Sequence, residues 1–115
     1  EISALTDLAH ARTLACVLIP MLRHQAHAKQ EKLIAYGAAV FGHRITDARQ
    51  AAAAAIDATE AFFHSLGVST KLRDYLPAPD VLEEIPHRFS RRGMLLGERG
   101  DITPPQVKEI LDHAW

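Results

Sequence analysis

Thr46-Asp47-Ala48-Arg49-Gln50-Ala51-Ala52-Ala53-Ala54-Ala55-Ile56-Asp57-Ala58-Thr59-Glu60-Ala61-Phe62-Phe63-His64-Ser65-Leu66-Gly67 decides the fold class. Alanine loses no side-chain entropy in a helix, so five in succession favour that state more strongly than any other local choice. Thr46 can cap the start, and Gly67 supplies the stop after Phe62, Phe63 and Leu66. Working outward, the same logic recurs. Lys29 to Phe41 repeats a helical spacing with Leu33, Ile34, Tyr36, Val40 and Phe41, and Gly42 stands at its C-terminal stop.

Nearer the N-terminus, Leu14, Val17, Leu18, Met21 and Leu22 fall at the i, i+3, i+4, i+7, i+8 spacing of a buried helical face. Pro20 lies inside that run and should bend it or end it, because the carbonyl of Cys16 loses its donor. Ile2, Leu5, Leu8 and Ala9 carry a separate helical stripe up to His10. Beyond Gly67, Pro77 and Pro79 forbid a long helix and leave a connector with a short turn. Asp80-Val81-Leu82-Glu83 reads as a capping box whose helix soon meets Pro86. Gly93, Gly97 and Gly100 punctuate a loop. Thr103-Pro104-Pro105-Gln106 opens a last helix with a Thr cap and Pro at its first position, and Val107, Ile110, Leu111 and Trp115 give it a buried stripe. No segment alternates as a strand does, so the expectation is all-α, a single helical domain over residues 1–115.

Composition excludes several classes of function. The 115 residues include nineteen alanines and only 6% aromatics, the material of close-packed helices. A net charge of −1 leaves no cationic excess to neutralise a phosphate backbone, which argues against nucleic acid. The apolar run from Leu14 to Leu22 is far below the ~20 residues of a spanning helix, so no membrane role is expected. One cysteine, Cys16, cannot form an internal disulfide, and a cytoplasmic setting is the default. Glu1-Ile2-Ser3-Ala4-Leu5 has no initiating Met and no signal-peptide layout; it reads as the middle of a helix, and a larger parent protein is expected.

Seven histidines invite a metal reading, but their spacing is no metal code. His24 and His27 read as surface residues on a polar helix end, and His43, His64, His87 and His113 as solvated. His10 stands between two apolar stripes. By context it reads as a hydrogen-bonded core histidine, with a ligand or catalytic role as the alternative. Cys16 sits in an apolar run without a basic neighbour and reads as a buried, inert thiol. Arg88, Arg91, Arg92 and Arg99 around Phe89 and Ser90 read as a solvated helix end, or else as a contact surface for a phosphate or an acidic partner. A stand-alone helical interaction domain using that surface is the competing function. No Gly-rich dinucleotide loop is present, so no cofactor-binding residues are expected within the chain.

Three segments follow one another in order: Leu8-Ala9-His10-Ala11-Arg12-Thr13-Leu14-Ala15 running to Ile19-Pro20; Ala61-Phe62-Phe63-His64-Ser65-Leu66-Gly67-Val68 leading into Lys71-Leu72-Arg73-Asp74-Tyr75; and Gly93-Met94-Leu95-Leu96-Gly97 with Asp101-Ile102-Thr103. Their order resembles the iron-containing alcohol dehydrogenases, in particular the branch of butanol dehydrogenases and NADPH-dependent aldehyde reductases. The resemblance implies the C-terminal helical part of a dehydroquinate-synthase-like, two-domain enzyme that interconverts aldehyde and alcohol. It implies a divalent metal, iron or zinc, held by one Asp and three His, of which only His10 falls in this chain. It also implies NADP(H) or NAD(H) on an N-terminal dinucleotide-binding domain that is not in this sequence. The metal would polarise the carbonyl as hydride arrives, and a neutral His10 would help to hold it. The loop containing Leu96 and Gly97 would line the substrate pocket. A homo-oligomer, such as a dimer, is expected of the intact enzyme, and an inactive, self-associating chain is expected of this part alone.

Overall fold

A computed structural model describes residues Glu1–Trp115. Six helices run in chain order: α1 (Ile2–Thr6), α2 (His10–His24), α3 (Gln30–Phe41), α4 (Ala48–Ser65), α5 (Asp80–Arg91) and α6 (Pro104–Ala114). A short 3-10 turn at Leu72–Asp74 lies in the connector between α4 and α5. The only extended pairing is an isolated antiparallel bridge between Leu96 and Ile102. The all-α expectation holds.

The alanine-rich stretch is the longest helix, but its cap is Asp47 rather than Thr46. The Asp47 carboxylate accepts the Gln50 N–H at 2.8 Å, and its negative charge suits the positive helix end. Ala51, Ala52, Ala55, Ile56 and Thr59 form the buried face. Small side chains there let α3 approach closely. A Cβ on Gly37 would stand 2.9 Å from the Ala55 Cβ, so α3 and α4 meet at a glycine. Replacing Gly37 by Val should therefore wedge them apart and lower stability by roughly 1–3 kcal/mol, read as a fall in the urea midpoint. Ile19, Leu33, Ala52 and Ile56 make a small core beside this contact.

The larger core joins α1, α2, the 3-10 turn, α5 and α6 through Ile2, Cys16, Leu72, Leu82, Ile85, Phe89, Val107, Ile110 and Leu111. Here α2 departs from the sequence expectation. Its buried residues are Thr13, Ala15, Cys16, Ile19 and Pro20, while Leu14 is 56% exposed. Apolar residues occupy more than one stripe of this helix, and the positions of α4 and α6 select which stripe is covered. Neither internal proline ends its helix. Pro20 and Pro86 are both buried, and packing of their rings offsets the missing hydrogen bond, so α2 continues to His24 and α5 to Arg91. Nor does Asp80 cap α5: Pro79 takes that place in a right-handed helical conformation, which leaves Asp80 inside the first turn. In α6 the expected Thr103 start is present and forms a capping box, with Gln106 accepting the Thr103 N–H at 2.8 Å.

The assembled helices form a slab of 42 × 32 × 17 Å. Its radius of gyration, 14.9 Å, exceeds the roughly 13 Å of a compact domain of this length. So flat a body leaves large side chains uncovered, among them Leu14, Val40, Phe62, Leu66 and Leu95.

Candidate functional site

α1 stops where Asp7 enters the left-handed region, at φ 56°, and donates its N–H to Ser3 O. Leu8 then packs on the larger core, Ala9 is extended, and α2 begins with His10. The two apolar stripes do meet here, but at Leu8 and Thr13. Thr13 Oγ1 donates to His10 O at 2.8 Å and lies 3.2 Å from Ser3 Oγ, which fastens the first turn of α2 to α1. His10 itself is exposed, and its ring makes no hydrogen bond with Asp7 or any other residue of the chain. The reading of His10 as a satisfied core histidine is therefore overturned: the turn at Asp7 brings its imidazole to the surface at the start of a helix.

Leu96 and Gly97 sit in a loop pinned at both ends. Leu96 N–H and O pair with Ile102, and Leu96 packs on the larger core. Gly97 adopts φ 84°, and a Cβ there would lie 2.8 Å from Asp101 Oδ1, so the tight turn requires glycine. Lys29 and Lys32 pair with Glu98 and tie the loop to the start of α3; Lys29 holds the Glu98 carboxyl below the usual carboxylate range. The apolar side chain that this loop exposes is Leu95.

A concavity of about 580 Å³ opens elsewhere, between α2, α4 and α6. Its polar groups are occupied with one another. Arg23 bridges Asp57 at 2.8 Å and Glu60 at 3.0 Å; Thr70 Oγ1 donates to Glu60 at 2.9 Å; and Lys71 Nζ donates to His113 O at 2.6 Å. His24 is half-buried there, 3.7 Å from Glu109, while His27 is exposed, so the two do not act as a pair. Sequence reasoning missed this cleft because it is assembled from four separated segments, in α2, α4, the connector after α4 and α6. No group of three His, Cys, Asp or Glu side chains is arranged to hold a metal ion.

Arg88 and Arg91 pair with Glu84, and Arg88 and Arg92 with Glu1, whose carboxyl Arg92 chiefly holds below its ordinary range. Arg99 lies apart, beside His27 and Lys32, so the four arginines do not make one patch. His43 was expected to be solvated, yet its Nδ1 is buried without a partner, and its ring stacks on Phe41 at 5.6 Å. Cys16 is fully buried, and burial, followed by the charge of Asp74, pushes its thiol up from 9.0 to about 11. Between those values the unfolded chain loses a thiol proton that the folded chain keeps, so stability should fall as pH rises from about 9 to 11. Thiol-specific reagents should label Cys16 only after unfolding, which a mass measurement with and without denaturant checks.

No helix of the chain is long and apolar enough to cross a membrane. Residues 1–115 match the model of the Fe-containing alcohol dehydrogenase family, C-terminal. The NADPH-dependent aldehyde reductase YqhD of Escherichia coli K12 is 34% identical over 115 residues, which is 99% of this chain and 30% of that protein. NADP-dependent alcohol dehydrogenase 3 of Entamoeba histolytica is 31% identical over 100% of this chain and 28% of its own length. The substrate- and cofactor-free structure of the E. coli reductase superposes with a TM-score of 0.91 at 32% identity, again over 99% of this chain and 30% of the other. This chain thus spans about 30% of the length of these relatives.

Proposed function

This chain belongs to the Fe-containing alcohol dehydrogenase family, and from that premise we propose that it is the metal-site helical part of an enzyme that reduces aldehydes to alcohols with NADPH. The observation that carries the reading is the match of the whole chain, in sequence and in fold, to the C-terminal part of a named aldehyde reductase. NADP(H) is favoured over NAD(H) because both curated relatives are named for the phosphorylated cofactor.

His10 is the residue of this chain suited to the metal, iron or zinc. Its imidazole is exposed, free of partners in the chain, and carried on a first turn that Thr13 and Ser3 brace. To act as a ligand it must be neutral and present one ring nitrogen, with the other free to donate to an acceptor outside these residues. One imidazole does not retain a catalytic divalent ion, which takes about three protein ligands. The remaining donors, and the dinucleotide, belong to the length of the relatives that this chain does not match. When bound, such an ion supplies Lewis-acid polarisation of a carbonyl oxygen.

The reading has a direct test. The full-length enzyme should oxidise NADPH only when an aldehyde is added, and the 115-residue chain alone should not. The isolated chain should also elute above its 12.7 kDa mass on size exclusion, because Val40, Phe62, Leu66 and Leu95 are bare without a covering domain. Full-length protein with no aldehyde-dependent oxidation would remove the reading.

A further inference from the structure

α2 buries Thr13, Ala15, Cys16, Ile19 and Pro20, and carries His10 and Leu14 on its other side. The two are four residues apart, so their Cβ atoms stand about 5–6 Å from each other along one face of the helix. Both are exposed, Leu14 at 56%. A leucine in a helix leans over the turn N-terminal to its own Cα, which carries the Leu14 side chain toward His10. The exposed residues flanking His10, Ala9 and Ala11, are small and leave the space beside the imidazole open. Leu18, one turn further on, is already half-buried. The surface therefore presents a metal-capable nitrogen and, one turn away, a bare branched hydrocarbon.

We propose that Leu14 is a specificity-determining residue: the apolar wall against which the carbon chain of the aldehyde lies while its oxygen is held beside His10. This inference rests on the reading of His10 given above. The dimensions suit it, because one helical turn, about 5.4 Å, is also the reach of a carbon chain four to six atoms long. An aldehyde of that length buries its methylenes on Leu14; a two-carbon aldehyde does not reach it.

The test uses the full-length, metal-loaded enzyme carrying Leu14→Ala, with acetaldehyde, butanal and hexanal as substrates. The ratio of kcat/KM for hexanal to that for acetaldehyde should fall about tenfold. The Kd of hexanamide, a non-reacting carbonyl compound of the same length, should rise by a similar factor relative to acetamide. Metal content and Tm should not change, and Leu14→Met, which keeps the volume, should retain the parental ratio. An equal loss for all three aldehydes together with a lowered Tm would overturn the inference and make Leu14 a packing residue against the rest of the enzyme. So would an unchanged ratio. Either failure leaves the reading of His10 standing if His10→Ala still loses its metal; retention of metal and activity in His10→Ala would instead remove the reading itself.

Discussion

Replacing His10 by Ala in the full-length enzyme is expected to empty the metal site and abolish aldehyde reduction while leaving the helical fold in place. The structural side of this follows from the surroundings of the residue. The His10 ring is exposed and packs into neither core, and the bond that fastens its turn runs through the backbone oxygen, which Thr13 Oγ1 reaches at 2.8 Å. Alanine keeps that oxygen and is a good helix former, so the circular dichroism of the isolated chain should be unchanged and its stability in urea should change by less than about 0.5 kcal/mol. The functional side is larger. Loss of a group that only orients a ligand already weakens metal binding by about 10–100-fold, and loss of the ligand itself should exceed that. Metal analysis after dialysis and NADPH oxidation with excess aldehyde check the two halves. A variant that keeps its metal would show that His10 is an ordinary surface histidine.

The largest stability loss is expected from Leu72→Ala. Leu72 has no exposed surface, although it lies in a 3-10 turn of three residues rather than in a long helix. It is held there because the connector passes over the junction of α2, α5 and α6, and Leu72 joins Cys16, Leu82, Ile110 and Leu111 in one core. Truncation leaves a void that the surrounding helices cannot close without separating from one another. The cost should be about 2–5 kcal/mol, a large share of the 5–15 kcal/mol that holds a domain of this size together. Leu66→Ala is the matched control, since Leu66 is 61% exposed and should cost little. Equal urea midpoints for the two variants would show that the connector does not belong to the core.

Much of the fold could be read from the chain, and the exceptions share a cause. The alanine run of α4, the Gly42 stop of α3 at φ 70° and the Thr103–Gln106 box of α6 are local signals, and local signals survive folding. The buried stripe of α2 is not local. Leu14 and Cys16 are both apolar residues of one helix, and only the placement of α4 and α6 makes the second core and the first surface. The prolines mislead in the same way, because the penalty of Pro20 and Pro86 is visible in sequence whereas the burial that offsets it is not. His10 shows the limit for function. Flanking apolar residues argued for a buried ring, but a single left-handed residue at Asp7 turns the chain so that Leu8 enters the core and the imidazole does not. The proposal that His10 is a ligand rests on the ordered matching segments, not on its immediate neighbours.

A crystal structure of the metal-loaded, full-length enzyme, with the ion located by anomalous scattering, tests the central claim most directly. One His10 ring nitrogen should lie about 2.0–2.2 Å from the ion, with every other protein ligand contributed from outside this chain. An ion held by a complete set of ligands with the His10 ring turned away from it would contradict the account.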